Sequence, residues 1–505
     1  MTTDASQGRQ SRWWILVAAI AATVPLLAPA IPPLTDAPGH IGRYFLMLHG
    51  HEHPTLAAGY DFEWRLIGNL GVDLIVWVLG QAMPVETAAR IATTAIPAVT
   101  VAGMLACARV VHGRIPPTAW FALPLAYAFP LQFGFLNYAL AVGLAFHALA
   151  LWLVLAERPG LRAALFVPIA VALYIAHLSG WAAFGLMAAG AEFARLHGRG
   201  WRRAAVGTVA ACVPLSLPVA IALAGARDPH ALTYDWFLWP AKLQWLVSIL
   251  REGHERYDVL SVLLLFAVVA LGARRLGMRG ELALPALLCA AAFVILPRVL
   301  MNGTYADMRL APVALALALL AIRPPASRAA ARALAAAGIA FALMRLVVTT
   351  ATYAGIARDQ QRELAALDAI PDGASILALV ARPCEAWATR RMDHIPSLAI
   401  PRRHAFVNSQ WAIRGQQLVA IRRRDAAPYD HDPTQIVVPP KCQDAVVTEF
   451  GSAITEFNRA AFTHVWTIGI APRRLTPDLR PVWSNGRSAV YAVARPQGAT
   501  YSARP

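Results

Sequence analysis

Long apolar runs separated by short, arginine-bearing turns fill the first 350 or so residues of the chain. The first run, 13–31, is nearly uncharged and about 19 residues long, enough to cross a hydrocarbon core of about 30 Å. Pro32 and Pro33 stop it. Further runs at 88–111, 117–135, 138–156, 163–177, 181–194, 204–224, 258–273, 282–296, 310–322 and 330–350 predict, with the first, about 11 membrane spans. Residues 66–83 are also apolar but carry Asn69 and Asp73. Read as an interfacial helix, this stretch leaves five basic turns on one side of the membrane. They hold Arg109 and Arg114; Arg158 and Arg162; Arg195, Arg199, Arg202 and Arg203; Arg274, Arg275 and Arg279; and Arg323, Arg328 and Arg332. Arg9 and Arg12, ahead of the first run, mark that side as the cytoplasm.

Beyond residue 355 the pattern changes. An amphipathic helix is predicted over 359–370, closed by the turn signal Pro371-Asp372-Gly373. Short β-type runs follow at 375–380, 417–421, 435–438, 465–470 and 488–494. The expected fold is mainly α. A polytopic transmembrane helix bundle, about 11 spans plus an interfacial helix, occupies 1–354, with its first external loop at 32–65. A soluble α/β domain occupies 355–505, and an odd number of spans places it outside.

Composition agrees with this reading: 58% of the 505 residues are hydrophobic and only 15% charged, which excludes an ordinary soluble domain. The formal net charge of +16 would otherwise point to nucleic acid. The arginines lie mostly in short turns where they set orientation, so no nucleic-acid partner is expected. Cys107, Cys212 and Cys289 fall in apolar runs as small buried hydrophobes. Cys384 and Cys442 lie in the C-terminal domain, where an oxidising compartment would pair them as a disulfide. His49, His51 and His53 read as a solvated turn. Cys384, Asp393, His394 and His404 match no zinc spacing, so no clear motif supports a divalent metal.

Ionisable residues at a membrane edge are candidates for function. Those predicted at the outer edge are Asp36 with His40, Asn137 with Tyr138, His177, Asp307 with Arg309, and the aromatic-rich loop 227–257. If a helix starts just after Asp36, Pro38 sits in its first turn and His40 lies one turn on from Asp36, on the same face. Bland readings stand beside the functional ones. His177 fits a packing histidine, Asn137-Tyr138 a turn with an interfacial aromatic, and Asp307 and Arg309 plain loop charges.

The element Pro32-Pro33-Leu34-x-Asp36-x-Pro38-x-His40, followed by an interfacial segment and a helix start with Glu86 and Arg90, resembles the GT-C class of membrane glycosyltransferases. Phe135-Leu136-Asn137-Tyr138, Ala176-His177-Leu178 and Ala306-Asp307-Met308-Arg309 resemble motifs of an uncharacterised bacterial branch of that class. The second acidic residue of the fuller motif is absent here, with His40 nearby. The resemblance implies inverting transfer of a sugar from a polyprenyl-phosphate lipid donor to a glycan, lipid or protein acceptor of the cell envelope, at the periplasmic face of a bacterial inner membrane. It makes Asp36 the catalytic base. His40, Asn137, Tyr138, His177, Asp307 and Arg309 become substrate-binding, with Asp307 orienting Arg309. Three alternatives stay open: a glycan polymerase or ligase using polyprenyl diphosphate, a transporter or flippase served by Asp73, and an inactive scaffold.

Overall fold

The computed structural model describes residues 2–224, 231–383, 387, 390–413, 417–438 and 448–494. Cys384 and Cys442, and with them the expected disulfide, lie outside the described residues. Five described helices are long and apolar enough to cross a membrane: Val85–His112, Leu136–Val154, Pro159–Ala176, Glu255–Leu276 and Arg328–Ala369. Trp201–Leu215 and Leu217–Leu223, bent by 57°, make a sixth if counted as one span. Four more apolar helices are shorter: Arg12–Ala21, Ala119–Phe133, Gly280–Ile295 and Leu310–Ala321. The full-length spans are therefore fewer than the run lengths predicted. Proline is one reason, since Pro124 and Pro130 break the 119–133 stretch into short helical pieces. Leu178–Leu196 has the length, but it buries Glu192 against Arg162 and Arg195. The predicted break near residue 354 is absent, because Arg328–Leu364 is one helix of 37 residues.

Gly71–Leu79 has nine residues, about 13 Å, too short to span. It buries Val72, Asp73 and Val76 and exposes Leu74, Ile75, Trp77 and Val78, the two-faced pattern of an interfacial helix. In the bundle, Val85–His112 and Leu136–Val154 pack closely through small residues. A Cβ on Gly103 would come within 2.9 Å of the Gly143 carbonyl oxygen. One end of the bundle gathers basic turns: His112 meets the Leu320 carbonyl at 2.9 Å, and the backbone N–H groups of Arg279 and Arg323 bond to Ala321 and Gly277.

The C-terminal domain is built on a seven-stranded sheet. Its central strand Ser375–Ala381 runs parallel to Phe406–Val407, Ile436–Val438 and His464–Ile468. Thr448–Glu449 adds in parallel beyond Ile436–Val438, while Ala489–Val493 and Leu479–Ser484 complete the other edge antiparallel. Val419–Ile421, predicted as a strand of this domain, instead pairs antiparallel with Tyr60–Phe62 of the first loop. The pairing ties the domain to the bundle. Side chains add to it: Arg391 donates to the Gln132 carbonyl at 2.8 Å, Gln410 to the Gly39 carbonyl at 3.1 Å, and Arg43 to Gln417 at 2.8 Å.

Beneath that contact lies a buried polar network. Arg43 pairs with Asp73 at 2.8 Å, and Asn137 donates to Asp73 at 2.8 Å and to the Asn69 carbonyl at 2.7 Å while accepting from the Val72 N–H. Removing one partner of a buried ion pair leaves an uncompensated charge. Asp73→Asn is therefore expected to destabilise the protein by about 3–5 kcal/mol. Thermal unfolding in detergent checks this, and the joint Arg43→Met/Asp73→Leu variant should lose less than Asp73→Asn alone.

Candidate functional site

The carboxyl group of Asp36 sits where the bundle meets the C-terminal domain. Asp36 is the N-cap of Ala37–His49, and Pro38 occupies that helix's first turn, as the spacing predicts. Its side chain makes no capping bond, which leaves the carboxylate available to the site. Its backbone N–H is held by the Phe133 carbonyl at 2.9 Å. Gly134, at φ +107°, lies directly against it, and a Cβ there would come within 2.7 Å of the Asp36 nitrogen. Glycine at 134 is what lets the 129–133 helix end beside Asp36.

The C-terminal domain closes the other side. Loops leaving the carboxyl ends of Ser375–Ala381 and Phe406–Val407, the usual place for ligand contacts in parallel sheets, carry His394 and Trp411. His394 Nε2 stands 3.6 Å from Asp36 Oδ1 and 3.7 Å from Asp432 Oδ1. Asp393 is engaged elsewhere, accepting from Arg382 at 2.9 Å. Burial pushes the Asp36 carboxyl up to about 7; His394 opposes that rise, Asp432 and Asp393 reinforce it, and Arg43 opposes it weakly.

His40 shares the Asp36 helix and meets the Gly134 carbonyl through Nε2 at 3.1 Å. Its ring lies 5.0 Å from that of Trp411. Burial first, and then the charge of Arg43, hold its pKa well below the usual imidazole value. His177 caps Leu178–Leu196 by accepting from the Ser179 N–H at 3.0 Å, and burial likewise lowers its pKa. Neither imidazole is arranged to carry positive charge.

On the far side of the Gly134 turn is an arginine and aromatic cluster. Arg309 lies over the Phe135 ring at 4.9 Å and the Tyr138 ring at 5.8 Å, and donates to Ser179 Oγ at 3.3 Å. Among the described residues its Nε has no partner, and burial brings its pKa down to about 10. The Tyr138 hydroxyl donates to the Arg309 carbonyl. Arg298 lies over Tyr305 at 5.3 Å and Trp245 at 5.7 Å. Among the described residues, neither Arg298 nor Arg309 has a carboxylate within ion-pair distance. Asp307 is the carboxylate nearest in sequence, but it pairs with buried Lys242 at 3.2 Å instead of orienting Arg309.

Of the residues the sequence singles out, Asp36 and His40 lie together, Tyr138, His177 and Arg309 lie together, and the Phe133–Gly134–Phe135 turn joins the two groups. Asn137 belongs to the structural network with Asp73. Among the described residues of the aromatic loop, Trp236, Phe237 and Trp239 are exposed, while Trp245 reaches the cluster, edge-on to Tyr305 and stacked on Phe129. Sequence reasoning passes over Arg298, Trp411 and Asp432, and weighs Asp393 and His394 only as metal ligands. Among the described residues no group of three or more His, Cys, Asp or Glu is arranged to hold a metal ion, and the carboxylates here face an imidazole, an arginine and an amide.

No family model matches the sequence, and no curated protein matches it. Among solved structures it is similar to the crystal structure of ArnT from Cupriavidus metallidurans bound to undecaprenyl phosphate. The two are 14% identical over 96% of this chain and 100% of that one, with a TM-score of 0.48. A likeness of this degree assigns neither family nor chemistry to the chain.

A carboxyl raised from its ordinary value to about 7 binds protons in the folded state that it releases on unfolding. Stability from this group is therefore present at low pH and is lost as pH rises from about 4 through about 7. Asp36→Asn is expected to raise the unfolding temperature at pH near 8, reflecting a few kcal/mol at about 1.4 kcal/mol per pKa unit. Near pH 4 it should change little. Differential scanning fluorimetry across that pH range checks both.

Proposed function

We propose that this protein is a membrane glycosyltransferase of the GT-C kind. It moves a sugar, with inversion, from a polyprenyl-phosphate carrier to a cell-envelope acceptor at the outer face of a bacterial inner membrane. One juxtaposition carries the reading: a buried carboxyl whose pKa is pushed up to about 7 on one side of the Gly134 turn, and, on the other, arginines that lack carboxylate partners among the described residues. General-base work near neutral pH needs a carboxylate tuned toward the operating pH. A departing phosphate needs fixed positive charge in a dry, apolar setting.

In this reading Asp36 takes the proton from the acceptor hydroxyl as its oxygen attacks the anomeric carbon. The bond from that carbon to the phosphate oxygen breaks, and the polyprenyl phosphate leaves with its electron pair. Arg309 and Arg298 offset the charge on the leaving phosphate. Phe133, Phe135, Tyr305 and Trp245 form an aromatic face of the kind that sugar rings and isoprenoid chains pack against. His40 and His177 serve as neutral hydrogen-bonding groups.

Two results are expected with purified protein and undecaprenyl-phosphate-linked sugars offered one at a time as labelled donors. Asp36→Asn should lower transfer by about 10²–10⁴-fold, the range for loss of a general base. Transfer by the natural protein should rise with pH through about 7 and level off above it. Arg309→Gln should lower turnover by about 10²–10³-fold and weaken undecaprenyl phosphate binding measured by native mass spectrometry. Unchanged transfer in Asp36→Asn would overturn the proposal.

A further inference from the structure

The buried Asp36 carboxylate has ionisable neighbours from the C-terminal domain. We propose that His394 and Asp432 of the C-terminal domain form with it a proton relay divided between two domains: His394 receives the proton that Asp36 takes from the acceptor, and Asp432 compensates the resulting imidazolium. The relay rests on the glycosyl-transfer reading above and extends it.

The geometry fixes the direction of transfer. His394 Nδ1 lies 3.2 Å from the Ser409 carbonyl, which can only accept, so Nδ1 carries the ring's proton in the neutral imidazole. The basic position is then Nε2, and it faces the two carboxylates almost equally, at 3.6 and 3.7 Å. Both separations exceed a hydrogen bond, as is common for catalytic contacts before substrate binds. The ring cannot swing freely, because Trp411 packs on it with centroids 4.5 Å apart. Asp432 is itself held: its Oδ1 accepts from Gln435 Nε2 at 2.6 Å and its backbone N–H donates to the Gln410 carbonyl at 2.9 Å.

The other ionisable groups nearby are spoken for. From the Ala37–His49 helix, His40 is bonded to Gly134, and Arg43 to Asp73 and Gln417. From the loop after the central strand, Asp393 is paired with Arg382. Among the described residues this leaves His394 as the proton acceptor in contact with Asp36. During turnover the acceptor O–H bond breaks and its proton passes through Asp36 to His394 Nε2. The oxygen bonds to the anomeric carbon as the phosphate leaves. His394 then returns its proton to solvent. His394 and Asp432 act through Asp36 and are positioning residues.

The test uses full-length protein in detergent and needs no substrate in its first arm. The infrared band of protonated Asp36, assigned as the one missing in Asp36→Asn, is titrated from about pH 5 to about pH 9. His394→Gln removes the imidazole that takes the proton from Asp36, so the carboxyl keeps it to higher pH and the midpoint should move up by about one unit or more. Asp432→Asn, which keeps the imidazole and its packing, should move it down. Midpoints unmoved in both variants would overturn the relay, and shifts in the stated directions support it. In the second arm, with the labelled donors above, His394→Gln should lower kcat about 10²-fold with little change in KM and displace the pH profile as the infrared midpoint moves. If Asp36→Asn abolishes transfer while His394→Gln keeps both rate and profile, the relay falls and the transferase stands. If Asp36→Asn keeps full transfer, it is the transferase reading that falls.

Discussion

Holding a carboxyl group out of water is the constraint to which the surrounding structure answers. Asp36 is only 7% exposed, and His394 Nε2 stands 3.6 Å from its carboxylate, beyond hydrogen-bond distance. Such a group is unfavourable unless neighbouring contacts over-determine its position. Those contacts come from both halves of the molecule: the Phe133 carbonyl and Gly134 behind it, and in front His394, itself packed against Trp411. The docking of the C-terminal domain through Arg391, Gln410 and the Tyr60–Phe62 strand offsets what the burial costs. The result is a carboxyl held partly protonated near neutrality by its burial.

Much of this architecture was legible in the amino-acid order, and the reasons differ by element. Helices such as Val85–His112 and Leu136–Val154 announce themselves by unbroken apolar length. The strands at Ser375–Ala381, Ile436–Val438, His464–Ile468 and Ala489–Val493 match β-type runs bounded by turn residues. What failed was counting. Apolar length does not reveal that prolines cut 119–133 into pieces, or that the helix from Arg328 continues past the last apolar residue, because solvent-facing polar residues sustain a helix as well as lipid-facing ones do.

The candidate site divides along the same line. Asp36 and His40 could be paired from spacing alone, because one turn of helix fixes their relation. His394, Trp411 and Asp432 could not be, since more than 350 residues separate them from Asp36 in the sequence and only tertiary contact brings them near. Asp307 and Arg309 stand two residues apart, yet Asp307 turns to Lys242, whose ammonium also meets the Phe293 and Leu296 carbonyls. Proximity in the chain misled where a buried lysine offered a better-satisfied partner.

The helix Arg328–Leu364 has one further implication. At 37 residues it is a rod of about 55 Å, while a hydrocarbon core takes up only about 30 Å of it. A 3-10 turn, Ala365–Ala369, continues it, and five residues then lead to Ser375–Ala381, so the sheet is mounted on a stiff mast by a short connection. The altitude of the C-terminal domain above the bundle is thereby set by peptide geometry, and a molecule reaching the Asp36 site must fit beneath a roof of fixed height or approach from the side.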